Sequence, residues 1–285
     1  MMQAENIDQD WKVWVDHNLQ RGCNAMQICA ILLKNGFGLS DVEMMMGRHF
    51  PKVSSMEIAQ QRSAAAEPMD YHKLSKTRIT RTDSGEQVAK IVTDKAQIFA
   101  LNNFLTQEEC EKVIQISETL LKPSTITGSN RDDFFRTSET CYLNLLGDEF
   151  IKQIDDKIAC MLGIRASYSE GIQAQKYSVG QGFKAHTDYF NPNTTLFEKH
   201  DVKLGQRTWT FMVYLSDVEE GGETYFPRID KIFYPKRGQA IIWNNLYEDG
   251  SPNRDTLHQS MSVIKGTKFI ITKWFRDKGI GPVFC

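Results

Sequence analysis

Two residues in the segment from Tyr177 to Asp188 have the types and the spacing that metal chemistry requires, His186 and Asp188. If a strand follows Gly182, the two-residue period of its side chains places both residues on the same face. A histidine and a carboxylate side by side supply two of the three ligands of a facial Fe(II) site, which consists of two histidines and one carboxylate. The third ligand must come from another part of the chain.

The later histidines, His200 and His258, are the candidates for the third ligand. His200 lies in a polar segment between turn residues, which is typical of a solvated loop. His258 belongs to a strand candidate, Leu257 to Met261, and we therefore predict that it completes the site. Lys268 follows in an apolar strand candidate, where a buried ammonium group needs an anionic partner. A dicarboxylate co-substrate would be such a partner.

Charge and composition narrow the possible functions. The chain has 34 Lys+Arg against 36 Asp+Glu and a formal net charge of −2, so no basic excess favours nucleic acid or an anionic membrane. No apolar run reaches the roughly 20 residues of a membrane helix, and Met1 to Gln9 lack the regions of a signal peptide. We therefore predict a cytoplasmic protein.

The six cysteines form no C-x-x-C pair, which favours buried thiols over a zinc knuckle or a disulfide framework.

The sequence pattern of residues 1–55 predicts a small helical unit. A helix stop at Gly22 and two capping boxes, Asn24 with Gln27 and Ser40 with Glu43, indicate three short helices. The apolar stripe of the first helix consists of Trp11, Trp14, Val15 and Leu19. Three such helices bury little apolar surface alone, so we expect the unit to pack on the main domain, to bind a partner or to mediate self-association.

Residues 85–285 predict the main domain, after a linker at residues 56–84. Strand candidates around Val88 to Val92 and at Ile98 to Leu101 come first. Two amphipathic helices follow, one capped by Thr106 and Glu109 and one near Gly147 to Leu162. Short strand candidates separated by turn residues follow: Gly171–Tyr177, Phe183–Tyr189, Thr208–Leu215, Ile229–Tyr234, Gln239–Trp243, His258–Val263 and Phe269–Phe275. Few helices followed by many short strands predict a mainly β fold with flanking helices (α+β), either a barrel or a jelly roll.

A series of motifs, in order along the chain, is similar to one known family. They are Asn103-Phe104-Leu105-x-x-x-Glu109-Cys110, Arg136-x-Ser138, Tyr177, His186-x-Asp188, Arg207-x-x-Thr210, Tyr214-Leu215, Gly221-Gly222-Glu223-Thr224-x-Phe226-Pro227, Pro235-x-x-Gly238, His258, Gly266-x-Lys268 and Lys273-Trp274. The pattern resembles the Fe(II)- and 2-oxoglutarate-dependent dioxygenases of the prolyl 4-hydroxylase family. A histidine and an aspartate alone would be weak evidence, but the ordered set extends over about residues 97–277.

The resemblance implies a double-stranded β-helix that binds Fe(II) through His186, Asp188 and His258, with 2-oxoglutarate and O2 as co-substrates. Lys268 is implied to pair with the distal carboxylate of 2-oxoglutarate as a point charge. Other residues implied at the co-substrate are Tyr177, Tyr214 and Thr272, with Trp274 packed behind the site. The implied activity is hydroxylation of a C–H bond, coupled to conversion of 2-oxoglutarate to succinate, with ascorbate as a reductant. An aspartate at the carboxylate position favours hydroxylation over halogenation.

The substrate that the resemblance implies is a peptidyl proline, but two positions depart from the family pattern. Relatives that act on proline often have an aromatic hydroxyl three residues before the first ligand and a histidine shortly after Lys-Trp, where this chain has Phe183 and Arg276. Arg207 retains a residue that the family associates with substrate contact. Candidate substrate residues are therefore Tyr189, Arg207 and Arg276. Residues 189–206 are interpreted either as a lid or as a plain surface loop.

Three alternative functions remain open. The first is hydroxylation of a free amino acid or other small molecule, which mass spectrometry of free amino acids and of peptides, compared side by side, would reveal. A non-enzymatic barrel that senses 2-oxoglutarate and signals through the helical unit would produce no succinate. A hydrolytic zinc site, which two histidines and a carboxylate also suit, would keep its activity when 2-oxoglutarate is omitted.

Overall fold

The computed structural model describes residues 9–20, 25, 28, 29, 32, 37–50, 69–77, 79, 88–91, 93–124, 135–144, 147–191, 204–279 and 282–284. The chain divides into two compact units, Met1–Pro68 and Met69–Cys285. A search of the helices in these ranges found no stretch with the length and apolar character of a membrane span. All motifs of the predicted site lie in the second unit.

The first unit contains helices α1 (Gln9–Gln20) and α2 (Leu39–Met46), and a 3-10 turn at Gly47–His49. Residues 25, 28, 29 and 32 are also helical, in the region of the predicted second helix. The inward side chains form an apolar core of Val15, Ile28, Cys29, Leu32, Val42, Met45 and Met46. The unit therefore has a small hydrophobic core of its own.

The start of α2 differs from the predicted capping box. The helix already includes Leu39 and Ser40, and an extended Gly38 precedes it, so Ser40 is not the N-cap. The carboxylate of Asp41 accepts the N–H of Gly38 at 3.1 Å, and thus an acidic side chain in the first turn satisfies this group. Gly22 and the predicted box at Asn24 lie outside the described residues.

The second unit contributes helices α3 (Tyr71–Ser75), α4 (Gln107–Glu118) and α5 (Glu149–Leu162). The predicted capping box of α4 is confirmed, because Glu109 N donates to Thr106 Oγ1 at 3.1 Å and Thr106 N donates to Glu109 Oε2 at 2.8 Å. Helix α5 begins after the N-cap Asp148. Both long helices bury apolar side chains in the main core, among them Cys110, Val113, Ile151, Ile154 and Ile158.

Helix α3 falls within the stretch that was predicted to be a linker. Leu74 and Ile79 are buried in the main core, and the indole N–H of Trp209 donates to Leu74 O at 3.1 Å. Residues 51–68 lie outside the described ranges. The domain boundaries at residues 55 and 84 therefore stay predictions.

An eight-stranded antiparallel sheet forms one wall of the β structure. In spatial order its strands are β1 (Val88–Lys90), β2 (Ile98–Leu101), β11 (Ala240–Asn244), β7 (Arg207–Tyr214), β14 (Lys268–Arg276), β5 (Gln173–Tyr177), β4 (Glu139–Tyr142) and β3 (Lys122–Pro123). Residues of one face, including Ala174, Phe211, Val213 and Ile271, share the main core with the helices. Because successive side chains of a strand point to opposite faces, the residues next to these lie on the other face of the sheet.

A four-stranded sheet lies against that opposite face, in the order β10 (Lys231–Phe233), β9 (Thr224–Phe226), β12 (His258–Ser260) and β6 (Phe183–His186). A second core joins the two sheets through Tyr177, Met212, Tyr214, Trp243 and Ile270 on one side and Phe226 and Phe233 on the other. The short pair β8 (Glu220–Gly221) and β13 (Val263–Lys265) completes the structure. This confirms the predicted jelly roll, with the site between its sheets.

Some predicted strands differ in their limits. β6 stops at His186, before Asp188, and the predicted strand His258–Val263 is divided into β12 and β13. The division occurs because Met261 N donates to Glu223 O at 2.8 Å whereas Val263 N donates to Gln181 O at 3.0 Å. Neighbouring residues therefore pair with different segments. Strand β4 was not predicted, since its sequence Glu-Thr-Cys-Tyr has little apolar character.

Candidate active site

The histidines of the predicted triad lie opposite each other on neighbouring strands. His186 ends β6, His258 opens β12, and the antiparallel register pairs the two residues directly. Their ring centroids are 4.3 Å apart. Asp188 Oδ1 lies 3.8 Å from His186 Nε2 and 3.9 Å from His258 Nε2. The three side chains thus offer one nitrogen or oxygen atom each within 4.8 Å of one another.

Two glycines before β6 allow this approach. Gly180 has a φ of +82°, in the left-handed region that favours glycine. A Cβ atom on Gly182 would lie 2.9 Å from Ser260 O, closer than side-chain carbons normally come to a backbone oxygen. The chain can therefore turn and run against β12, which brings His186 to His258.

Backbone carbonyls orient both imidazoles. His186 Nδ1 lies 2.8 Å from Lys184 O, and His258 Nδ1 lies 3.0 Å from Thr256 O. Because a carbonyl only accepts, each Nδ1 carries the hydrogen and each Nε2 keeps its lone pair. Burial, aided by the neighbouring histidine, lowers the pKa of His186 to about 3. A neutral imidazole with an exposed Nε2 lone pair is the form that binds a metal ion.

A chain of hydrogen bonds from the large sheet holds Asp188. Thr210 Oγ1 on β7 donates to Asp188 Oδ2 at 2.8 Å, and Asn245 Nδ2 donates to Thr210 Oγ1 at 2.8 Å. Oδ1 is the oxygen that faces the two histidines. Burial opposes ionisation of Asp188, but the histidines and Arg207 outweigh it and lower the pKa of the carboxyl group. The side chain is therefore ionised and oriented, as a metal ligand must be, although β6 ends before it.

Lys268 is fully buried in the same cavity as the triad. Its Nζ donates to Ser260 Oγ at 2.8 Å and lies 5.3 Å and 5.5 Å from the ring centroids of Tyr177 and Tyr214. Burial lowers the pKa of Lys268 to about 7, and the charge of Glu223 opposes this only in part. An anion in the cavity would supply the counter-charge that the surrounding side chains provide only weakly.

The other predicted co-substrate residues differ in their distance from the cavity. Tyr177 and Thr272 line it, and Gln175 links them, because Tyr177 Oη donates to Gln175 Oε1 at 2.7 Å and Gln175 Nε2 donates to Thr272 Oγ1 at 3.1 Å. Tyr214 is fully buried, and its hydroxyl donates to Thr224 Oγ1 at 2.6 Å. Thr224 lines the cavity, so Tyr214 reaches the cavity wall through this hydroxyl.

The predicted substrate residues Arg207 and Arg276 share one carboxylate, which the sequence did not indicate. Glu170 accepts bonds from Arg207 Nε at 2.6 Å, from Arg207 Nη2 at 2.8 Å and from Arg276 Nη1 at 3.0 Å. The guanidinium of Arg207 lies 3.9 Å from the ring centroid of Trp274, which lines the cavity. The third candidate, Tyr189, is half-buried and follows Asp188 directly. Arg207 thus lies beside the cavity, and Glu170 joins it to Arg276.

Known proteins have similar sequences. A profile of the 2OG-Fe(II) oxygenase superfamily matches residues 172–276, which include all three triad residues. The probable prolyl 4-hydroxylase 8 of Arabidopsis thaliana is 33% identical over 216 residues, which cover 67% of this chain and 72% of the plant protein. The chain belongs to the prolyl 4-hydroxylase family. The prolyl 4-hydroxylase subunit alpha-1 of Homo sapiens is 28% identical over 190 residues, or 65% of this chain and 35% of the human protein.

A solved structure of this family agrees in fold. The 2OG complex of the viral collagen prolyl hydroxylase from Paramecium Bursaria Chlorella virus-1 is 26% identical and has a TM-score of 0.51, over 63% of this chain and 95% of the viral chain. As a member of the prolyl 4-hydroxylase family, the protein is a 2-oxoglutarate-dependent dioxygenase. Its cofactors are accordingly Fe(II), 2-oxoglutarate and O2. This classification argues against the hydrolytic zinc site and the non-enzymatic barrel.

The residues of the cavity fit these cofactors. Two oriented Nε2 lone pairs and one carboxylate form the donor set that non-haem Fe(II) sites use. The buried ammonium group of Lys268 suits one carboxylate of a dicarboxylic acid. Both requirements are met by side chains that share one cavity.

Several residues of the site were not predicted from the sequence to have a role. Arg136 lines the cavity, and its Nε and Nη2 donate to Ser138 Oγ at 3.0 Å and to Gln173 Oε1 at 2.8 Å. Gln175 and Glu170 join the two hydrogen-bond networks described above. The sequence offered a signal for Gln175, because Gln173 and Gln175 place polar side chains at alternate positions of β5. No comparable pattern marks Glu170.

Proposed function

We propose that the protein is an Fe(II)- and 2-oxoglutarate-dependent prolyl 4-hydroxylase that acts on a peptidyl proline. One observation carries the proposal: the triad His186, Asp188 and His258 shares a buried cavity with Lys268, whose charge is only weakly compensated. Prolyl 4-hydroxylases among its relatives support the choice of substrate.

Each side chain of the cavity has a task in this proposal. His186, Asp188 and His258 hold Fe(II), and Lys268 pairs with the distal carboxylate of 2-oxoglutarate. Tyr177, Thr272 and Tyr214 support the co-substrate, and Trp274 closes the wall behind it. When bound, Fe(II), 2-oxoglutarate and O2 together supply the oxidising power that hydroxylates a C–H bond and yields succinate and carbon dioxide.

The chain itself contributes orientation, charge and exclusion of water. The carbonyls of Lys184 and Thr256 keep both Nε2 atoms directed at the metal position. Thr210 restricts rotation of the Asp188 carboxylate. The cavity is lined by Met212, Trp243 and Ile270 among other apolar side chains, which keep the reaction away from bulk water.

The substrate is proposed to bind beside Trp274. Arg207 lies against this ring, and Glu170 joins Arg276 to Arg207. Arg207 is the more exposed of the two arginines, with 18% of its side chain accessible against 2% for Arg276, so its guanidinium group is assigned to a backbone carbonyl of the peptide. Tyr189 is assigned to the same surface because it follows Asp188.

A panel of proline-containing peptides and free amino acids tests the proposal. Succinate is measured together with a gain of one oxygen atom by mass spectrometry, for the wild type and for His258→Ala. The proposal expects a peptide to gain hydroxyproline only with Fe(II) and 2-oxoglutarate, and no product with the variant. Oxygen gain by free amino acids alone would assign the enzyme to small molecules. Activity without 2-oxoglutarate would contradict the assigned chemistry.

Other properties of the chain stay predictions. They are the cytoplasmic location, the use of ascorbate as a reductant, the domain boundaries and a partner or self-association role for the N-terminal helical unit. Repeating the peptide assay with and without ascorbate tests the reductant. Sedimentation of the full chain tests self-association.

A further inference from the structure

Phe183 is stacked on one of the triad histidines. The ring centroids of Phe183 and His186 are 3.6 Å apart and the ring planes differ by 18°. Phe183 also lines the cavity and is only partly buried. Its ring therefore lies against the imidazole that we assign to Fe(II), on a side of the cavity that solvent can reach.

Neighbouring groups restrict movement of the Phe183 ring. Phe135 packs edge-on against it at a centroid distance of 5.6 Å, and Arg136 Cζ lies 5.0 Å from its centroid. Backbone bonds join the same segments, because Lys184 N donates to Phe135 O at 2.9 Å. A ring held in this way stays beside the reacting centre when the substrate is absent.

The other aromatic rings near the triad are placed differently. Trp243 and Phe226 approach His258 at centroid distances of 4.8 Å and 5.3 Å, and neither is stacked in parallel. Both are almost fully buried. Among the described aromatic residues, Phe183 thus combines the shortest ring distance to a triad histidine with partial exposure in the cavity.

We propose that Phe183 is a self-modification site, at which the enzyme hydroxylates its own aromatic ring when no substrate occupies the cavity. The inference rests on the proposed function, since it uses the same oxidising chemistry. One atom of O2 enters an aromatic C–H bond of Phe183, and the hydrogen of that bond ends on the new hydroxyl group. The second oxygen atom enters the carboxylate of succinate, and the lost carboxylate of 2-oxoglutarate leaves as carbon dioxide. The product is a phenol side chain.

A consequence for the site follows from the position of the ring. The modified side chain carries a hydroxyl group in a cavity that contains Arg136 and the triad. A phenol donates and accepts hydrogen bonds, whereas the original ring offers only apolar surface. Self-hydroxylation would thus add one polar oxygen atom to the substrate side of the cavity.

The test uses the full-length enzyme with Fe(II), 2-oxoglutarate and isotopically labelled O2, without substrate and with catalase present. Intact mass and peptide mapping of the denatured chain are expected to show one labelled oxygen atom on Phe183. Omission of 2-oxoglutarate should abolish the label, and a substrate peptide should reduce it severalfold. Labelled oxygen at Met212, Trp243 or Trp274 instead, or label that appears without 2-oxoglutarate, would overturn the proposal.

Phe183→Leu provides the second measurement. The variant should carry no oxygen in this peptide, and a thermal shift on adding 2-oxoglutarate with Mn(II) shows that it still folds and binds the co-substrate. A parallel sample with the substrate peptide separates the two proposals. If wild-type enzyme hydroxylates the peptide but leaves Phe183 unlabelled in the substrate-free sample, only the self-modification is wrong. If neither reaction occurs, the proposed function fails as well.

Discussion

His186 and His258 occupy directly paired positions of the antiparallel strands β6 and β12, with their ring centroids 4.3 Å apart. A slip of one residue in this register would turn one histidine to the other face of the sheet. The geometry of the two imidazoles is therefore set by strand pairing, and it needs no flexible loop.

The first prediction concerns this pair. His258→Ala removes one nitrogen ligand, so we expect Fe(II) affinity and succinate formation to fall by more than about 100-fold, beyond the 10- to 100-fold loss typical of groups that only support a ligand. Metal titration and succinate assays measure the two effects. His200→Ala is the matched control and should remain active. The ligand assignment is wrong if His258→Ala is fully active and His200→Ala is not.

The second prediction concerns the pH dependence of 2-oxoglutarate binding. The pKa of Lys268 is lowered to about 7 by burial, and a bound dicarboxylate favours the charged form and so raises it. Below pH 7 the lysine is already protonated and binding is tightest. As the pH rises above 7, binding must take up a proton, so the dissociation constant should increase by up to about tenfold per pH unit. Calorimetry in buffers of different ionisation enthalpy measures the proton uptake.

Two variants control this experiment. Lys268→Arg keeps a positive charge throughout the range, so its weaker binding should not vary with pH between 7 and 9. Lys268→Ala should raise the 2-oxoglutarate requirement by about 10- to 100-fold, which corresponds to the roughly 1.5 to 3 kcal/mol of a charged hydrogen bond. Equal pH dependence in the wild type and Lys268→Arg would contradict the role of Lys268.

Much of this site could be predicted because its reactive residues are polar or charged side chains within segments whose pattern predicts ordinary strands. A lysine in an apolar strand and an aspartate two residues after a histidine stand out against their surroundings, and the structure brings Lys268, Asp188 and both histidines to one cavity. The strands containing them were predicted from short apolar runs between turns. Their limits were less accurate, since the pairing of β6 with β12 stops at His186 and tertiary hydrogen bonds divide the stretch after His258.

The remaining contacts depend on long-range packing that no local pattern encodes. Glu170 meets Arg207 and Arg276 from positions 37 and 106 residues away. The position of Phe183 after a turn predicts a strand residue but no ring contact. The packing of β6 in the structure stacks its ring on His186. Helix α3 was not predicted to be part of the core because Leu74 is its one buried apolar side chain and Tyr71 packs against the core only in part.

The third prediction concerns the support of Asp188. Thr210→Val removes the hydroxyl that donates to Asp188 Oδ2 and leaves the shape of the side chain nearly unchanged. We expect Fe(II) affinity to fall by about 10- to 100-fold, as for other groups that orient a metal ligand. Thr208→Val is the control on the same strand, since Thr208 Oγ1 is buried without a hydrogen-bond partner among the described residues. Metal titration should separate the two variants, and equal losses would show a general effect of changing β7.

The fourth prediction concerns Glu170, which joins Arg207 and Arg276. Glu170→Gln keeps the size of the side chain but leaves two guanidinium groups without their counter-charge, one of them on the almost fully buried Arg276. Removing one partner of a fully buried ion pair typically lowers the free energy of unfolding by about 3 to 5 kcal/mol. Glu170 and Arg207 keep 15% and 18% of their side chains exposed, so the loss should be smaller, and urea titration measures it. Because Arg207 lies on Trp274, KM for the substrate should rise more than kcat falls.

Glu219→Gln is the control for this last substitution. Glu219 pairs with Lys265 on the surface, where both side chains are more than half exposed. Solvent screens such a pair, so its loss should change stability little. The same decrease in both variants would mean that the change of glutamate to glutamine, and not the burial of the charges, is responsible. An unaltered KM in Glu170→Gln would remove Arg207 and Arg276 from the proposed substrate surface while leaving the metal assignment intact.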